Sequence, residues 1–265
     1  MKTVLIAVGV VLILVTLLGK WLGPEHEAFR VRLKAWWIMA ISFLIINRLH
    51  PSLSLVGFSA LSFIALREYL KRIAELPGWV RYLAYASIPL QYYWIFLGWY
   101  GMFIVFIPVY LFLYLPGGSV RQAALIHWGL MVTVFCLSHA AFLLKFPKGP
   151  GLLLFVVLLT EMGEGCRLLL PDRRWRPALL TALSVLAAWL LGPRLTPLSP
   201  QHVLLAGAAM GVMGEMGQRR LRGLREALDL GDGPLPPGQG GGLIRILTLT
   251  FTAPVFLHGY RYFYG

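Results

Sequence analysis

Charged residues are scarce in this chain of 265 residues. Asp, Glu, Lys and Arg together make up 13% of it, whereas hydrophobic residues make up 58% and the mean hydropathy is +0.73. A soluble domain carries about 25% charged residues, so the composition excludes a soluble globular protein. Because apolar runs recur along the whole length, we predict a polytopic membrane protein without a separate soluble domain.

Cysteine is almost absent. Cys136 and Cys166 fall in or at the edge of apolar runs without a paired spacing, which indicates buried thiols and not a disulfide or metal site. A cleavable signal is also lacking, because Lys2 is the only charge ahead of the first apolar run and no small-residue cleavage site follows. We therefore expect the first helix to be retained.

Ten apolar runs predict membrane helices. They are residues 3–18, 35–48, 53–66, 82–98, 101–115, 123–144, 152–170, 178–192, 202–217 and 243–262. Some are shorter than the ~20 residues of a perpendicular span, so we expect about eight to ten spans. The runs show no alternation of polarity, which favours helices over a barrel. The predicted fold is an all-α polytopic integral membrane protein, with N-terminal transmembrane helices in 1–150 and a C-terminal region in 151–265.

Acidic residues are few: 11, against 24 Lys and Arg, for a formal net charge of +13. With the N-terminus outside, most of the cations fall in loops on the inner side, as the positive-inside rule requires. We therefore predict a multi-pass protein of the cytoplasmic (inner) membrane, whose cations face anionic headgroups. The cations are divided among short loops, which argues against nucleic-acid binding.

Several polar residues lie inside the apolar runs. Glu161 and Glu164 are three apart and share a helix face, where charged side chains need partners or line a pathway. Arg167 either neutralises Glu164 or leaves it free for chemistry. His139 either hydrogen-bonds a neighbouring helix or faces a polar cavity. Glu68, beside basic residues at a helix end, favours an interfacial ion pair.

Glycines recur at 207, 211, 214 and 217 on one predicted helix, which indicates a face for close helix packing. The loop after this helix, residues 218–242, is predicted to be cytoplasmic. It carries four arginines, then three acids, then glycines: Arg219, Arg220, Arg222, Arg225, Glu226, Asp229, Asp232 and the glycines from 238. Either the cations bind phosphates while the acids hold Mg²⁺, or the loop is a solvated basic turn.

The order of motifs resembles the phosphatidate cytidylyltransferases (CDP-diacylglycerol synthases). The resemblance rests on PGQGGGLIRILTLTFTAPVF from Pro237, on TEMGEG at 160–165 and on FSALSFIALREYL at 58–70, which ends near Glu68. It is most specific from about residue 152 onward, and it makes 151–265 the cytidylyltransferase-like region. Members of this family are polytopic enzymes that join CTP to phosphatidate with Mg²⁺ and release pyrophosphate.

The resemblance implies roles for particular residues. Asp232, Glu164 and Gln239 take catalytic positions, and Glu164 and Asp232 are the implied Mg²⁺ ligands. The implied phosphate- and nucleotide-binding residues are Arg225, Gly238, Gly240, Gly241 and Arg245.

The same motif departs from the family signature. Gln239 replaces its histidine, Ile244 and Leu247 replace its two aspartates, and Thr248 replaces its serine. Hard cations prefer carboxylate oxygens, which Ile and Leu lack. We therefore weigh three hypotheses. The first is a divergent cytidylyltransferase of phospholipid biosynthesis. The second is a non-catalytic relative (a pseudoenzyme) that binds lipid or nucleotide and serves another phospholipid-synthesis enzyme. The third, more remote, is a small-solute transporter.

Overall fold

The protein folds as a bundle of helices. The computed structural model describes residues 2–19, 27–48, 51–73, 76–114, 120–170, 173–227 and 241–265. Within these residues there are ten helical segments and no strand. They are α1 Lys2–Gly19, α2 Glu27–Arg48, α3 Pro51–Leu70, α4 Gly78–Leu97, α5 100–114, α6 120–145, α7 Gly149–Leu169, α8 Arg176–Leu195, α9 Pro200–Ala227 and α10 Gly241–Tyr264.

Each helical segment corresponds to one of the ten apolar runs of the sequence, so the all-α polytopic prediction is confirmed. Among the described residues, four helices are long and apolar enough to cross a membrane. They are Leu53–Leu70, Gln122–Lys145, Gly149–Arg167 and Arg176–Leu195. The count of eight to ten spans stays a prediction, as does the division at residue 150. The long helix α9 is not among the four, and its last turns are strongly basic.

The last helix, α10, occupies a central position. It packs against α3, α6, α7 and α9, while α1 and α2 lie at the periphery. Its buried residues Ala253, Phe256 and Leu257 belong to the main apolar core, together with residues of α3, α6 and α7 such as Leu66, Leu137 and Phe155. The C-terminal helix therefore packs directly on the N-terminal half of the bundle.

Two helices contain one π-helical stretch each, Phe106–Leu111 in α5 and Met131–Cys136 in α6. Such stretches widen a helix locally and free backbone carbonyls. In α6 the hydroxyl of Thr133 satisfies one of them, donating to the carbonyl of Gly129 at 2.7 Å. Gly129 itself lies against the ring of Tyr69, so α3 and α6 approach closely there.

Two glycines of the α9 stripe, Gly207 and Gly211, pack closely against α8, as expected of a close-packing face. A Cβ atom at Gly207 would lie 2.8 Å from the Cα of Val185, and one at Gly211 would lie 2.7 Å from the Cα of Thr181. Gly214, one turn further along, has no such neighbour within 4 Å. The two helices are therefore in close contact around Gly207 and Gly211 and separate towards Gly214.

We expect Gly207→Ala to lower the stability of the protein. The new methyl group meets backbone atoms of α8, and overpacking of this kind costs about 1–3 kcal/mol. Gly214→Ala is the matched control on the same helix, since it adds the same group to open space and raises helix propensity by about 0.5–1 kcal/mol. The stability of each variant is measured as the midpoint of thermal unfolding in detergent, followed by tryptophan fluorescence. Equal midpoints for the two variants would contradict this packing.

Candidate functional site

Buried and partly buried charged and polar side chains meet where α2, α7, α9 and α10 come together. They are Arg32, Glu161, Glu164, Arg167, Glu215, Gln218 and Thr248, which we call the charge cluster. Arg32 and Glu164 are each 8% exposed and Glu215 is 7% exposed. Ionised groups this far from water are stable only when they are paired and hydrogen-bonded.

Glu161 joins α7 to α2. Its two carboxylate oxygens accept hydrogen bonds from Nε and Nη2 of Arg32, at 2.9 and 2.8 Å, in the bidentate geometry that suits a guanidinium. The indole Nε1 of Trp36 donates a third bond at 2.7 Å. Gly165 permits this approach, because a Cβ atom there would lie 2.6 Å from the Trp36 ring. Glu161 therefore has a structural role.

Glu164 joins α7 to α9 and α10. Its Oε1 accepts a hydrogen bond from Nε2 of Gln218 at 2.8 Å, and Nε of Arg167 lies 3.5 Å from the same oxygen. The Gln218 amide also donates to Oγ1 of Thr248 at 2.8 Å. Thr248 stands where the family signature has serine, so one amide connects the acidic motif of α7 with the motif that follows the glycine loop.

Glu215 is a member of the cluster that the sequence analysis missed. Its Oε2 accepts a hydrogen bond from Nη1 of Arg167 at 2.6 Å, and its Oε1 lies 3.5 Å from Nε of Arg219. Arg167 was expected either to neutralise Glu164 or to leave it free, and its shorter contact is to Glu215. The sequence signal was a lone acid between Gly214 and Gly217 in a small-residue stripe.

The carboxylates of the cluster are already engaged. Glu161, Glu164 and Glu215 each have a guanidinium partner, and among the described residues no three His, Cys, Asp or Glu side chains come together as metal ligands. The described residues by themselves therefore do not fit a magnesium ion. Asp232, the second implied ligand, lies outside them.

Of the implied phosphate-binding residues, Arg225, Gly241 and Arg245 belong to the described helices α9 and α10. Gly238, Gln239 and Gly240 lie outside the described residues, in the connection between α9 and α10. By backbone position, Arg225 belongs to the last turn of α9, Gly241 begins α10 and Arg245 is one turn before Thr248. The connection thus starts and ends on the two helices that Gln218 and Thr248 bring together.

A separate polar group lies towards the other end of α10. Oη of Tyr100 is 2.7 Å from Nδ1 of His258, and the guanidinium of Arg261 lies 3.4 Å above the Tyr100 ring. His139 is fully buried beside His258, and its Nδ1 donates to the carbonyl of Phe135 at 2.8 Å, within its own helix. We had expected a neighbouring helix or a cavity as its partner.

Glu68, expected in an interfacial ion pair, is 6% exposed and so lies inside the bundle, near the end of α3. A carboxylate at this depth is stabilised by interactions with protein groups and not by water, and Glu68 has such a partner.

These features define a class of protein: a membrane protein whose described residues form helices, with a charge cluster on α2, α7, α9 and α10 and a glycine-rich sequence between α9 and α10. Residues 30–170 match the sequence profile described as the Cytidylyltransferase family. A protein of Escherichia coli strain K12, described as "Uncharacterized protein YnbB", is 34% identical over an alignment of 287 positions that covers 95% of each chain. No solved structure matches. The chain belongs to the Cytidylyltransferase family.

The matched segment adds to the resemblance found by motif. It contains Glu68, Glu161 and Glu164, and it ends before Glu215 and the glycine-rich connection. Arg32, which holds Glu161, also lies within it. The match thus lies mostly ahead of residue 152, from which the motifs predicted the most specific resemblance, and the glycine motif stays a resemblance by motif alone.

Removing one partner of the Arg32–Glu161 pair should destabilise the protein strongly. Arg32→Met leaves a buried carboxylate without its cation, and breaking a buried pair costs about 3–5 kcal/mol. The double variant with Glu161→Met should be more stable than either single variant, because no charge is then stranded. Thermal unfolding in detergent of the unchanged protein, the two single variants and the double variant gives the coupling free energy between the two residues.

Arg174→Met is the control, since Arg174 is exposed and its loss should change stability by no more than about 0.5 kcal/mol. Strictly additive effects of the two cluster substitutions would rule out a direct interaction between Arg32 and Glu161.

Proposed function

We propose that this protein works in phospholipid biosynthesis, at the cytidylyl-transfer step in which CTP and phosphatidate give CDP-diacylglycerol and pyrophosphate. Membership of the family carries this proposal. Within it, Glu164 and Asp232 take the catalytic and metal positions, and Gln239 stands at the place of the signature histidine.

The arrangement of the charge cluster supports the proposal. Glu164 on the acidic helix and Thr248 after the glycine motif share one partner, Gln218, although the two are far apart in sequence. Glycine backbone at Gly238, Gly240 and Gly241 permits close approach of phosphates, and Arg225 and Arg245 supply cations for them. A magnesium requirement is part of this proposal, and it depends on Asp232 together with Glu164.

A second candidate is a non-catalytic relative that binds phosphatidate or CTP and assists another phospholipid-synthesis enzyme. One observation favours it: every carboxylate of the charge cluster already has a cationic partner. Phosphoryl transfer brings negative charges together, and metal ions held by free carboxylates normally offset them. Ile244 and Leu247 cannot supply those carboxylates.

The first test is a transfer assay of the purified protein in mixed micelles with phosphatidate, labelled CTP and Mg²⁺. The proposed reaction yields CDP-diacylglycerol, and Asp232→Asn should lower the rate by ~10²–10³, the effect of losing one charge-stabilising group. Glu226→Gln is the matched control, because it removes an acid from the same segment at a position without a family acid. An unchanged rate for Asp232→Asn would refute the assignment of Asp232.

The same preparation separates the two candidates. Binding of CTP or phosphatidate without product formation, at high protein concentration, would establish the non-catalytic candidate. Failure to bind either one, by a protein that retains its thermal transition, would overturn both.

We also propose that the glycine-rich connection faces the cytoplasm of a cell with the protein in its inner membrane. The support is the basic character of this end of the bundle, where Arg173, Arg174, Arg219 and Arg220 are exposed. In a variant without Cys136 and Cys166, a cysteine at position 238 should react with a membrane-impermeant maleimide only after the cells are permeabilised. Labelling in intact cells would reverse the orientation.

A further inference from the structure

A groove opens between α8 and α9 at the end of the bundle that holds the charge cluster. Its volume is about 550 Å³, within the ~300–1,000 Å³ that ligand sites occupy. The side chains along it are mostly small and apolar: Ala178, Thr181 and Ala182 on α8, and Val212, Met216 and Arg219 on α9. Val212 and Met216 are 44% and 52% exposed, so the groove is open to the surroundings of the bundle.

The opening follows from the glycine stripe. Around Gly211 the two helices are close enough that a Cβ atom would meet the Cα of Thr181 at 2.7 Å, whereas Gly214 has no neighbour within 4 Å. The close contact therefore ends about one turn before Glu215, and the space beyond it becomes the groove. The lining is mostly apolar, and Glu215 and Arg219 are its charged members.

The charge around the open end is one-sided. From 173 to 220 the sequence has one acid, Glu215, which lines the groove and whose carboxylate contacts Arg167 at 2.6 Å and Arg219 at 3.5 Å. At this end of the two helices lie Arg173, Arg174, Arg176, Arg219 and Arg220. The side chain of Arg219 is 64% exposed and lines the groove itself. An open apolar groove with an excess of cations at one end attracts an amphiphile with an anionic head.

We propose that the groove between α8 and α9 binds an anionic phospholipid, with an acyl chain along the apolar lining and the lipid phosphate at Arg219. Arg219 donates charge-assisted hydrogen bonds to the phosphate, and the neighbouring arginines add long-range attraction. Trp175, half exposed beside the arginines, is of the residue type that marks the headgroup level of a membrane.

A phospholipid fits the groove better than a protein partner does. A second helix would have to bring acidic side chains to meet the arginines, and a second copy of this end of the chain brings arginines instead. In a membrane, a phospholipid supplies both the apolar chain and the negative charge, and it surrounds the groove at high local concentration.

The site does not depend on the proposed transfer reaction, although it adjoins the charge cluster. Arg167 contacts both Glu215 at the floor of the groove and Glu164 in the cluster, at 2.6 and 3.5 Å. Phosphatidylglycerol is a suitable probe because it is not a substrate of that reaction. Phosphatidylglycerol binding can therefore be measured even if the protein does not catalyse the transfer reaction, and the transfer reaction can be measured even if this binding is lost.

Native mass spectrometry of the detergent-purified protein, titrated with dioleoyl phosphatidylglycerol or dioleoyl phosphatidylcholine, tests the proposal. We expect the first bound phosphatidylglycerol to be held about tenfold more tightly than phosphatidylcholine. Arg219→Gln should remove most of this preference, and Arg219→Lys should retain most of it. Arg220→Gln is the matched control, since Arg220 is the adjacent exposed arginine but does not line the groove. It should change the affinity less than twofold.

Ala178→Phe tests whether the lipid's acyl chain lies along the apolar lining of the groove. Ala178 is exposed on α8, so the larger ring fills the groove without entering the core, and the tight binding of phosphatidylglycerol should be lost. Glycerol 1-phosphate, which has the phosphate without the chains, should not compete. Equal losses for Arg219→Gln and Arg220→Gln would overturn the site in favour of general surface attraction. Competition by glycerol 1-phosphate, or a stable dimer that Ala178→Phe dissociates, would also overturn it.

Discussion

The need to neutralise acidic side chains inside an apolar bundle shapes this structure more than any other constraint. Glu161, Glu164 and Glu215 lie where water is scarce, and an isolated carboxylate there costs several kcal/mol. Each is held by a guanidinium from another turn or another helix: Arg32 for the first, Arg167 for the other two. These contacts set how α2, α7 and α9 are placed against one another, and Gln218 brings in α10.

The same contacts bear on the chemistry. A carboxylate that already binds an arginine is a weaker ligand for a hard cation, because the cation must displace the guanidinium. The chain belongs to the family, although Ile244 and Leu247 stand where the signature that its glycine motif resembles has two acids. A fold does not carry its function with it, and the function of this chain depends on what Glu164 and Asp232 do together. The groove adds a lipid-facing surface at Glu215, whose partner Arg167 also contacts Glu164.

Much of the fold follows from the sequence. Ten apolar runs predicted ten helical segments, and the glycines at 207 and 211 marked a close helix contact that the structure contains. The sequence predicted the candidate site less completely than it predicted the fold. Glu164 was singled out, but Glu215 and Gln218 were not, because an acid and an amide in a glycine-rich helix have no signature of their own. Arg32 was counted only as an inner-side cation, since nothing in its neighbourhood indicates a partner 129 residues away.

The sequence by itself determined the class of protein, the positions of the helices and the end at which the basic residues gather. These depend on local composition, because each apolar run must satisfy its own backbone in lipid. Only the tertiary structure decided which charges pair, that Arg167 serves Glu215 more closely than Glu164, and that α8 and α9 separate into a groove. Those outcomes depend on the distances between helices, which arise from the packing of residues far apart along the chain.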